Sequence, residues 1–212
     1  MRVGIAGYGV VGKTRHRSIE SNTSYQVTAI SESSEKARKS IPEGMTVYND
    51  YKTLIASAEL DVIFISLPNQ FAAEAACLSL QNGLHVFCEK PPARTHAELL
   101  EVEKQSLKFP ELKLMYGFNH RFHLSVEEAK LLIDSNSLGR LINMKGVYGK
   151  SQMISFNQTD WRTDREASGG GILLDQGIHM LDLMRYLSGE NFTDVFSIID
   201  NAFWNFDVED NA

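Results

Sequence analysis

The first half of the chain alternates short apolar runs with longer segments whose apolar residues recur at helical spacing. The run at residues 61–67 (DVIFISL) is almost continuously apolar, which is typical of a strand buried on both faces of a sheet. The pattern predicts strands at residues 2–6, 26–31, around Val47, 61–67, 84–88 and 113–118, and helices at residues 10–20, 35–40, 51–57, 71–81 and 95–107. Strands that alternate with helices indicate a doubly wound parallel sheet covered by helices on both faces.

The rhythm changes near residue 119, without a low-complexity linker. Beyond it the pattern predicts helices at residues 124–135 and 171–187, strands at residues 141–152, 195–199 and 202–208, and an irregular polar stretch at residues 155–168. The mixed pattern of the first of these strands suits an antiparallel or mixed sheet. We therefore predict an α/β chain with a doubly wound domain over residues 1–118. An incomplete α+β domain with a mixed, mostly antiparallel sheet follows over residues 119–212.

Composition and charge narrow the class of protein. The 212 residues are 43% hydrophobic and 23% charged, which is ordinary for a globular chain and excludes a disordered, collagen-like or coiled-coil protein. The net charge of −6, with no basic cluster, argues against nucleic acid or an anionic membrane as a partner. No apolar run is long enough to cross a bilayer and the N-terminus does not resemble a signal peptide, so we expect a cytoplasmic protein. Cys77 and Cys88 are too few for a disulfide framework and are expected to be reduced.

A glycine-rich loop joins the first predicted strand to the first predicted helix. It is Gly7-Tyr8-Gly9-Val10-Val11-Gly12, which fits the pattern G-x-G-x-x-G in the context that this pattern requires. In such a loop the first glycine permits a tight turn, the second lets the backbone approach a pyrophosphate, and the third allows close packing of helix on strand. Phosphates would bind the free N–H groups at the helix N-terminus. The loop predicts a dinucleotide site, with a purely structural turn as the alternative.

The second predicted strand leads into Ser31 and Glu32, about 20 residues after the glycine loop, where a ribose-binding acid is expected. A carboxylate at Glu32 could accept both ribose hydroxyls and would repel a 2′-phosphate. Ser31 could instead admit a 2′-phosphate, but no arginine adjoins it in the sequence and the nearest is Arg38. These residues favour NAD over NADP. The alternative is that Glu32 is a solvated residue that starts the next helix.

Two further strand ends carry polar residues at the edge where ligands of open parallel sheets bind. The first is Leu67-Pro68-Asn69, in which the proline stops the strand and the asparagine offers donor and acceptor groups to a cofactor. The second is Glu89-Lys90-Pro91, in which charged residues directly follow a buried strand. Lys90 could polarise a carbonyl or orient a hydroxyl there. The alternatives are a plain turn at the first site and an ordinary surface loop at the second.

The helix predicted at residues 171–187 carries Asp175 and His179, which are four residues apart and therefore share one face. A carboxylate beside an imidazole raises the proton affinity of the imidazole and helps to fix its tautomer, which gives a general base for neutral pH. Glycines at residues 169–171 precede the helix and would leave its N-terminal end bare to a ligand. The alternative is a helix-stabilising pair on a buried face.

Several basic residues lie outside these motifs. The triplet Arg15-His16-Arg17, beyond the glycine loop, is interpreted as a partly buried histidine within a solvated basic face. His120 and His123 lack a clear carboxylate as third ligand and are not expected to bind a metal. An arginine can bind a hydroxylated or anionic substrate through forked hydrogen bonds, and a tryptophan can stack on it. The better candidates for lining a polar substrate pocket are therefore Arg121, Trp161 and Arg162.

Taken in order along the whole chain, these motifs resemble those of the glucose–fructose oxidoreductase, inositol dehydrogenase and rhizopine-catabolism family (Gfo/Idh/MocA). The landmarks are the glycine loop, Pro68-Asn69, residues 83–91 (GLHVFCEKP), residues 117–122 (GFNHRF) and residues 169–179 (GGGILLDQGIH). The resemblance implies a Rossmann domain followed by a substrate domain. It also implies NAD(P)-dependent oxidation of a sugar, sugar-nucleotide or cyclitol hydroxyl to a ketone, or the reverse, by a homo-oligomer when full length.

The resemblance assigns roles to single residues. Lys90 matches a lysine that contacts substrate and nicotinamide, and His179 matches the usual proton acceptor, with Asp175 as its partner. Asn69 and Glu89 match cofactor-contacting positions. A dinucleotide-binding sensor of the same fold that has lost catalysis is the alternative, but a sensor would not need the lysine, the aspartate and the histidine together.

The chain departs from the family pattern in three ways. Ala72 stands where many members have a histidine, and Ser31-Glu32 replaces a commoner aspartate, which leaves NADP open. Members of the family also continue beyond the length of this chain. If part of the substrate domain is missing, we expect the 212-residue chain made alone to aggregate or to bind cofactor without catalysis.

Overall fold

The structure is a computed structural model and describes residues 1–149 and 160–212. The chain divides into two compact units, Met1–Gly117 and Phe118–Ala212. In chain order the first unit contains β1 (Arg2–Ala6), α1 (Val10–Glu20), β2 (Gln26–Ser31), α2 (Glu35–Arg38), β3 (Thr46–Tyr48), α3 (Tyr51–Ser57), β4 (Val62–Ile65), α4 (Asn69–Gln81), β5 (His85–Cys88), α5 (His96–Lys108) and β6 (Leu114–Tyr116). Each strand and helix predicted in this half is present, with small shifts at its ends.

The six strands of the first unit form one parallel sheet in the order β3-β2-β1-β4-β5-β6. This is the strand order of a Rossmann sheet. Strands are added towards one side of β1 up to β3 and towards the other side from β4 onwards, so the order reverses between β1 and β4. The predicted doubly wound fold is therefore confirmed. Because all strands are parallel, the loops after β1, β2, β4 and β5 lie at one edge of the sheet, where a dinucleotide binds.

The sheet of the first unit buries apolar side chains on both faces, because successive strand residues point in opposite directions. Val3 and Ile5 of β1 pack on one side with Ile19 of α1. Ala6 packs on the other side in a second cluster, to which Leu54 of α3 belongs. Helix α1 is therefore held against the strand that precedes the glycine loop, which fixes the position of the loop.

The regular secondary structure of the second unit is helical in the residues that the structure describes. It contains a 3₁₀ helix (Asn119–Phe122), α6 (Leu124–Asp134), a second 3₁₀ helix (Trp161–Thr163), α7 (Arg165–Ser168), a π-helical turn (Leu173–Gly177) and α8 (Ile178–Ser188). The helix predicted at residues 171–187 is therefore present, but it begins as a wider π-helical turn. Across both described ranges, no helix combines the length and apolarity that a membrane crossing requires.

The strands predicted in the second unit differ from what the structure shows. Residues 141–149, 195–199 and 202–208 have no strand assignment. The described part of this unit contains an isolated antiparallel bridge, which joins Asp200 to Asn211 outside these ranges. Residues 150–152 of the first predicted strand, and residues 155–159 of the predicted polar stretch, lie outside the described residues. A strand forms only where a neighbouring strand bonds its N–H and C=O groups, and the described part of the chain offers these segments no such neighbour. Apolar side chains such as Phe196 are correspondingly exposed.

Candidate active site

The glycine loop has the geometry that a pyrophosphate needs. Gly7 has a φ of +87°, and a Cβ there would lie 2.5 Å from the carbonyl oxygen of Ser66. A Cβ on Gly12 would lie 2.1 Å from the carbonyl oxygen of Gly7, because α1 packs closely on the loop. A Cβ on Gly9 would meet no atom of the described residues within 4 Å. The fold itself therefore requires Gly7 and Gly12, whereas Gly9 faces open space that a ligand can enter.

Gly9 is also the N-cap residue of α1, and no side chain of the described residues caps this helix. The first N–H groups of an eleven-residue helix are therefore available to an anion, which the helix dipole also favours. Val10 and Val11, in the first turn, are 84% and 41% exposed. The residues of the loop thus fit a dinucleotide.

Glu32 lies just beyond the end of β2, and its carboxylate forms hydrogen bonds to the glycine loop and to the loop that follows β2. Its Oε2 accepts a hydrogen bond from the Tyr8 N–H at 2.9 Å, and its Oε1 accepts one from the Ser34 N–H at 2.8 Å. Arg38 folds back onto the same loop and donates to the carbonyl oxygens of Glu32 and Ser33 at 2.8 and 3.0 Å. The carboxylate therefore lies beside the glycine loop, where a ribose-binding acid belongs. Arg38, which is not adjacent in the sequence, is a neighbour of this site in the fold.

The other predicted cofactor contacts lie at the same edge of the sheet. Ser31 is buried, and its carbonyl oxygen accepts a hydrogen bond from the Gly7 N–H at 2.9 Å. Leu67 packs against the apolar core, Pro68 is the N-cap residue of α4, and Asn69 begins that helix and is 8% exposed. Their contact with a cofactor stays a prediction.

Glu89 is held by an ion pair that the sequence did not predict. Nε and a terminal nitrogen of Arg15 each lie 2.6 Å from Glu89 Oε1, and the guanidinium carbon lies 4.9 Å from the ring centroid of Phe87. Gly117 makes room for this carboxylate, because a Cβ there would lie 2.8 Å from Oε2. The prediction that Arg15 belongs to a solvated face is therefore wrong. The ion pair fastens α1 to the loop that carries Lys90, which is half-buried.

His16 is buried more deeply than predicted and supports the glycine loop. It is 3% exposed, and its Nδ1 shares a hydrogen bond of 2.7 Å with the hydroxyl of Tyr8. Burial raises the pKa of the Tyr8 hydroxyl, so this group is neutral and able to donate. On the other side of the ring, Nε2 of His16 lies 3.3 Å from a carboxylate oxygen of Glu20.

In the second unit, His179 lies in the first turn of α8 and is 4% exposed. Asp175 lies in the π-helical turn that precedes α8, and its Oδ2 accepts a hydrogen bond from Gln176 Nε2 at 2.7 Å. The ring of His120, in the first 3₁₀ helix, stacks on the ring of His179 with centroids 3.9 Å apart and planes at 14°. The proposed base is therefore enclosed within this unit and contacts a second imidazole.

The glycines that precede this helix do not leave its end bare, contrary to the prediction. A Cβ on Gly171 would lie 1.9 Å from the carbonyl oxygen of Glu209. The N–H of Gly171 donates to Glu209 Oε1 at 2.8 Å, and the N–H of Ile172 donates to the Glu209 carbonyl oxygen at 2.9 Å. Val208 and Glu209 are 1% and 7% exposed. The missing side chain at Gly171 therefore accommodates another segment of the same chain.

Arg121, predicted to line a substrate pocket, forms an ion pair within the second unit. Its Nε donates to Asp182 Oδ2 at 2.8 Å, and a second nitrogen of its guanidinium bonds Oδ1 of the same carboxylate. This hydrogen-bonded pairing raises the pKa of Arg121. This ion pair holds Arg121 in place, and substrate contact by Arg121 stays a prediction. Arg162 lies 4.4 Å above the ring of Trp161 and donates to Asp160 at 3.0 and 3.1 Å, and substrate contact by these two residues stays a prediction.

Comparison with known protein families decides what the chain is related to. Residues 1–116 match a family described as "Oxidoreductase family, NAD-binding Rossmann fold", and residues 126–212 match the "GFO/IDH/MocA C-terminal domain". The chain belongs to the Gfo/Idh/MocA family. The resemblance found in the sequence is therefore confirmed. The first unit is the NAD-binding Rossmann domain of a Gfo/Idh/MocA protein.

Three relatives to which the chain is similar are dehydrogenases by name. The D-glucoside 3-dehydrogenase of Escherichia coli is 30% identical over 200 residues, which are 89% of this chain and 54% of that protein. The myo-inositol 2-dehydrogenase of Lactobacillus plantarum has a TM-score of 0.78 at 30% identity, over 89% of this chain and 56% of that chain. A levoglucosan dehydrogenase in complex with NADH and levoglucosan has a TM-score of 0.81 at 27% identity, over 90% and 54%. The chain spans about half the length of these relatives.

Three residues with a place in these sites were not among the predicted site residues: Arg15, His120 and Glu209. A carboxylate at position 89 directly after a buried strand requires a cationic partner, and this was a usable signal for Arg15. The landmark GFNHRF marks the segment of His120 but not its ring contact. Glu209 gives no local signal, because its partner is 38 positions away in the sequence.

Proposed function

We propose that the protein carrying this chain is an NAD-dependent dehydrogenase that acts on a hydroxyl of a sugar or cyclitol, with sugar nucleotides as a further substrate class. The names of its Gfo/Idh/MocA relatives and the open space at Gly9 support this proposal. The observation that carries it is the buried imidazole of His179, preceded by Asp175 in a π-helical turn. A protein that only bound a dinucleotide would not need this arrangement.

The first unit supplies the cofactor site of the proposed enzyme. The pyrophosphate would bind the N-terminus of α1 beside Gly9. Glu32 would exchange its hydrogen bonds to Tyr8 and Ser34 for the hydroxyls of the adenosine ribose, and its charge would disfavour a 2′-phosphate. NAD is therefore the proposed cofactor.

The nicotinamide supplies the acceptor for a hydride, so the protein has to remove the hydroxyl proton and bind the alcohol oxygen. His179 is proposed to accept the proton, and Asp175 to favour the protonated ring that results. Lys90 is proposed to donate to the oxygen and to stabilise the negative charge that develops there. In the reverse direction His179 returns the proton to the oxygen.

The test measures cofactor binding and turnover separately on the whole protein that carries this sequence. NADH fluorescence gives the cofactor Kd, and a panel of glucosides, inositols, levoglucosan and sugar nucleotides is screened for NAD-dependent oxidation. We expect turnover of at least one compound. His179→Ala and Lys90→Ala should each lower kcat by at least about 100-fold, because proton transfer and charge stabilisation each contribute at this scale, with little change in the Kd of NADH.

Tight NADH binding without turnover of any compound would support a regulatory dinucleotide-binding protein and would contradict the proposal. A near-normal kcat in His179→Ala would show that another group is the base. A cytoplasmic location and assembly into a homo-oligomer stay predictions from the sequence.

A further inference from the structure

His120 has a close contact with the proposed base that the mechanism above does not use. Its ring lies face to face with that of His179, with centroids 3.9 Å apart and planes at 14°. The ring of Tyr148 is also nearly parallel to that of His120, with centroids 5.9 Å apart and planes at 15°. Phe118 approaches the His179 ring edge-on, with centroids 6.2 Å apart. Aromatic neighbours therefore surround the base on more than one side.

The segment that carries His120 is itself fastened to α8, the helix of the base. Arg121, the next residue, is bonded through two guanidinium nitrogens to Asp182, whose side chain is 9% exposed. Asp182 lies three residues after His179 and therefore on the same side of α8. The guanidinium carbon of Arg121 also lies 5.1 Å from the ring centroid of Tyr186 on that helix. The ion pair thus holds the 3₁₀ helix in the position that the stack requires.

We infer that His120 is a positioning residue for His179, and that the ion pair of Arg121 with Asp182 maintains the contact. This inference rests on the proposed function. The terminal torsion of a histidine side chain is broad, so burial alone does not fix the plane of the ring. A parallel ring at van der Waals distance does fix it, because rotation of either ring would break the stack. The nitrogen that is proposed to accept the proton then keeps a constant direction.

Two substitutions at position 120 separate positioning from proton transfer. His120→Phe keeps a flat ring but removes both nitrogens, whereas His120→Ala removes the ring. We expect His120→Ala to lower kcat by about 10- to 100-fold with little change in KM, since a base displaced by about 1 Å loses rate on this scale. His120→Phe should restore most of kcat and leave the pH profile unchanged. His123→Ala is the matched control, because His123 is exposed and meets His120 edge-on at 5.2 Å.

A second measurement does not depend on catalysis. The ring protons of His179 should resonate upfield in histidine-labelled protein because they lie over the ring of His120. They should move downfield in His120→Ala and remain upfield in His120→Phe. Arg121→Lys, which keeps the charge but loses the fork, should give a smaller shift in the same direction as His120→Ala.

The outcomes distinguish this inference from the proposed function. Unchanged ring-proton shifts in His120→Ala would overturn the stack, whatever the kinetics. A His120→Phe variant that is as slow as His120→Ala, or that has a shifted pH profile, would show that a nitrogen of His120 acts and would overturn positioning. A normal kcat in His179→Ala would remove His179 as the base, and with it the catalytic role of His120, while the ring-proton test on the unchanged histidine would still show whether the two rings stack.

Discussion

Replacing Gly9 with alanine should weaken cofactor binding and leave the fold intact, whereas Gly12→Ala should damage the fold itself. Gly9 has an extended backbone, with φ of −71° and ψ of −160°, and not the positive φ that favours glycine. Its Cβ would meet no atom of the described residues within 4 Å. At Gly12 the new Cβ would lie 2.1 Å from a backbone carbonyl oxygen, which cannot swing away as a side chain can. The two glycines of one loop are therefore matched controls for each other.

The magnitudes follow from what each methyl group displaces. Overpacking costs about 1–3 kcal/mol, and for Gly12→Ala we expect the upper end of this range because the obstacle is backbone. For Gly9→Ala the free energy of unfolding should change by less than about 0.5 kcal/mol. A methyl group that keeps the pyrophosphate from one N–H of α1 removes a hydrogen bond to a charged group, worth about 1.5–3 kcal/mol. This loss corresponds to a Kd for NADH that is about 10- to 150-fold higher.

Two assays check this prediction: fluorescence titration with NADH for the Kd and urea unfolding for the stability. Equal losses of stability in Gly9→Ala and Gly12→Ala would refute the reasoning, because Gly9 would then be needed by the fold. Undiminished NADH binding in Gly9→Ala would refute it as well, since the open space would not be where the cofactor binds.

Three further predictions concern other contacts. Gly171→Ala should destabilise the second unit by more than about 2 kcal/mol, because its Cβ would lie 1.9 Å from the backbone oxygen of Glu209. Tryptophan fluorescence during urea unfolding measures this loss, since both tryptophans lie in that unit. Arg15→Ala should weaken NADH binding severalfold by freeing a half-buried carboxylate, whereas Arg17→Ala, exposed on the same helix, should not. Glu32→Ser should raise the affinity for NADPH relative to NADH at least about fivefold, since charge repulsion at contact is worth about 1 kcal/mol even in water.

Specific results would contradict each of these predictions. A Gly171→Ala variant as stable as the unchanged protein would mean that the segment at Glu209 is not docked in solution. Equal NADH affinity for the Arg15 and Arg17 variants would show that the ion pair with Glu89 does not support the cofactor site. An unchanged preference for NADH after Glu32→Ser would remove Glu32 as the residue that selects the cofactor.

The parts of the fold that the sequence could predict depend on local signals. Neighbouring residues are enough to identify the glycine loop, the continuously apolar strand at residues 61–67 and the alternation of strands with helices. They were enough for the parallel sheet and for the edge at which Glu32 and Glu89 lie. The strands predicted in the second unit were wrong within the described residues, because a strand depends on a partner strand that its own sequence does not specify.

The details of the candidate sites depend on residues that are distant in the sequence. Arg15 and Glu89 are 74 positions apart, and Arg121 and Asp182 are 61 positions apart. The interpretation of Arg15 as solvated was wrong, and the ion pair of Arg121 was not predicted, because a single arginine in a sequence gives no sign of the carboxylate that it will meet. The stack of His120 on His179 likewise connects two segments whose patterns are independent.

The docking of Glu209 onto the start of the helical segment of His179 determines what this helix end can bind. The end of a helix that begins with glycines is a common place for an anion, because the amide hydrogens there have no partner in the helix. Here the amides of Gly171 and Ile172 are already bonded to the carboxylate and carbonyl oxygens of Glu209. The carboxylate of Glu209 therefore lies where an anion would otherwise bind at this helix end. The first amides of the segment are bonded within the second unit, and they are not offered to a phosphate group.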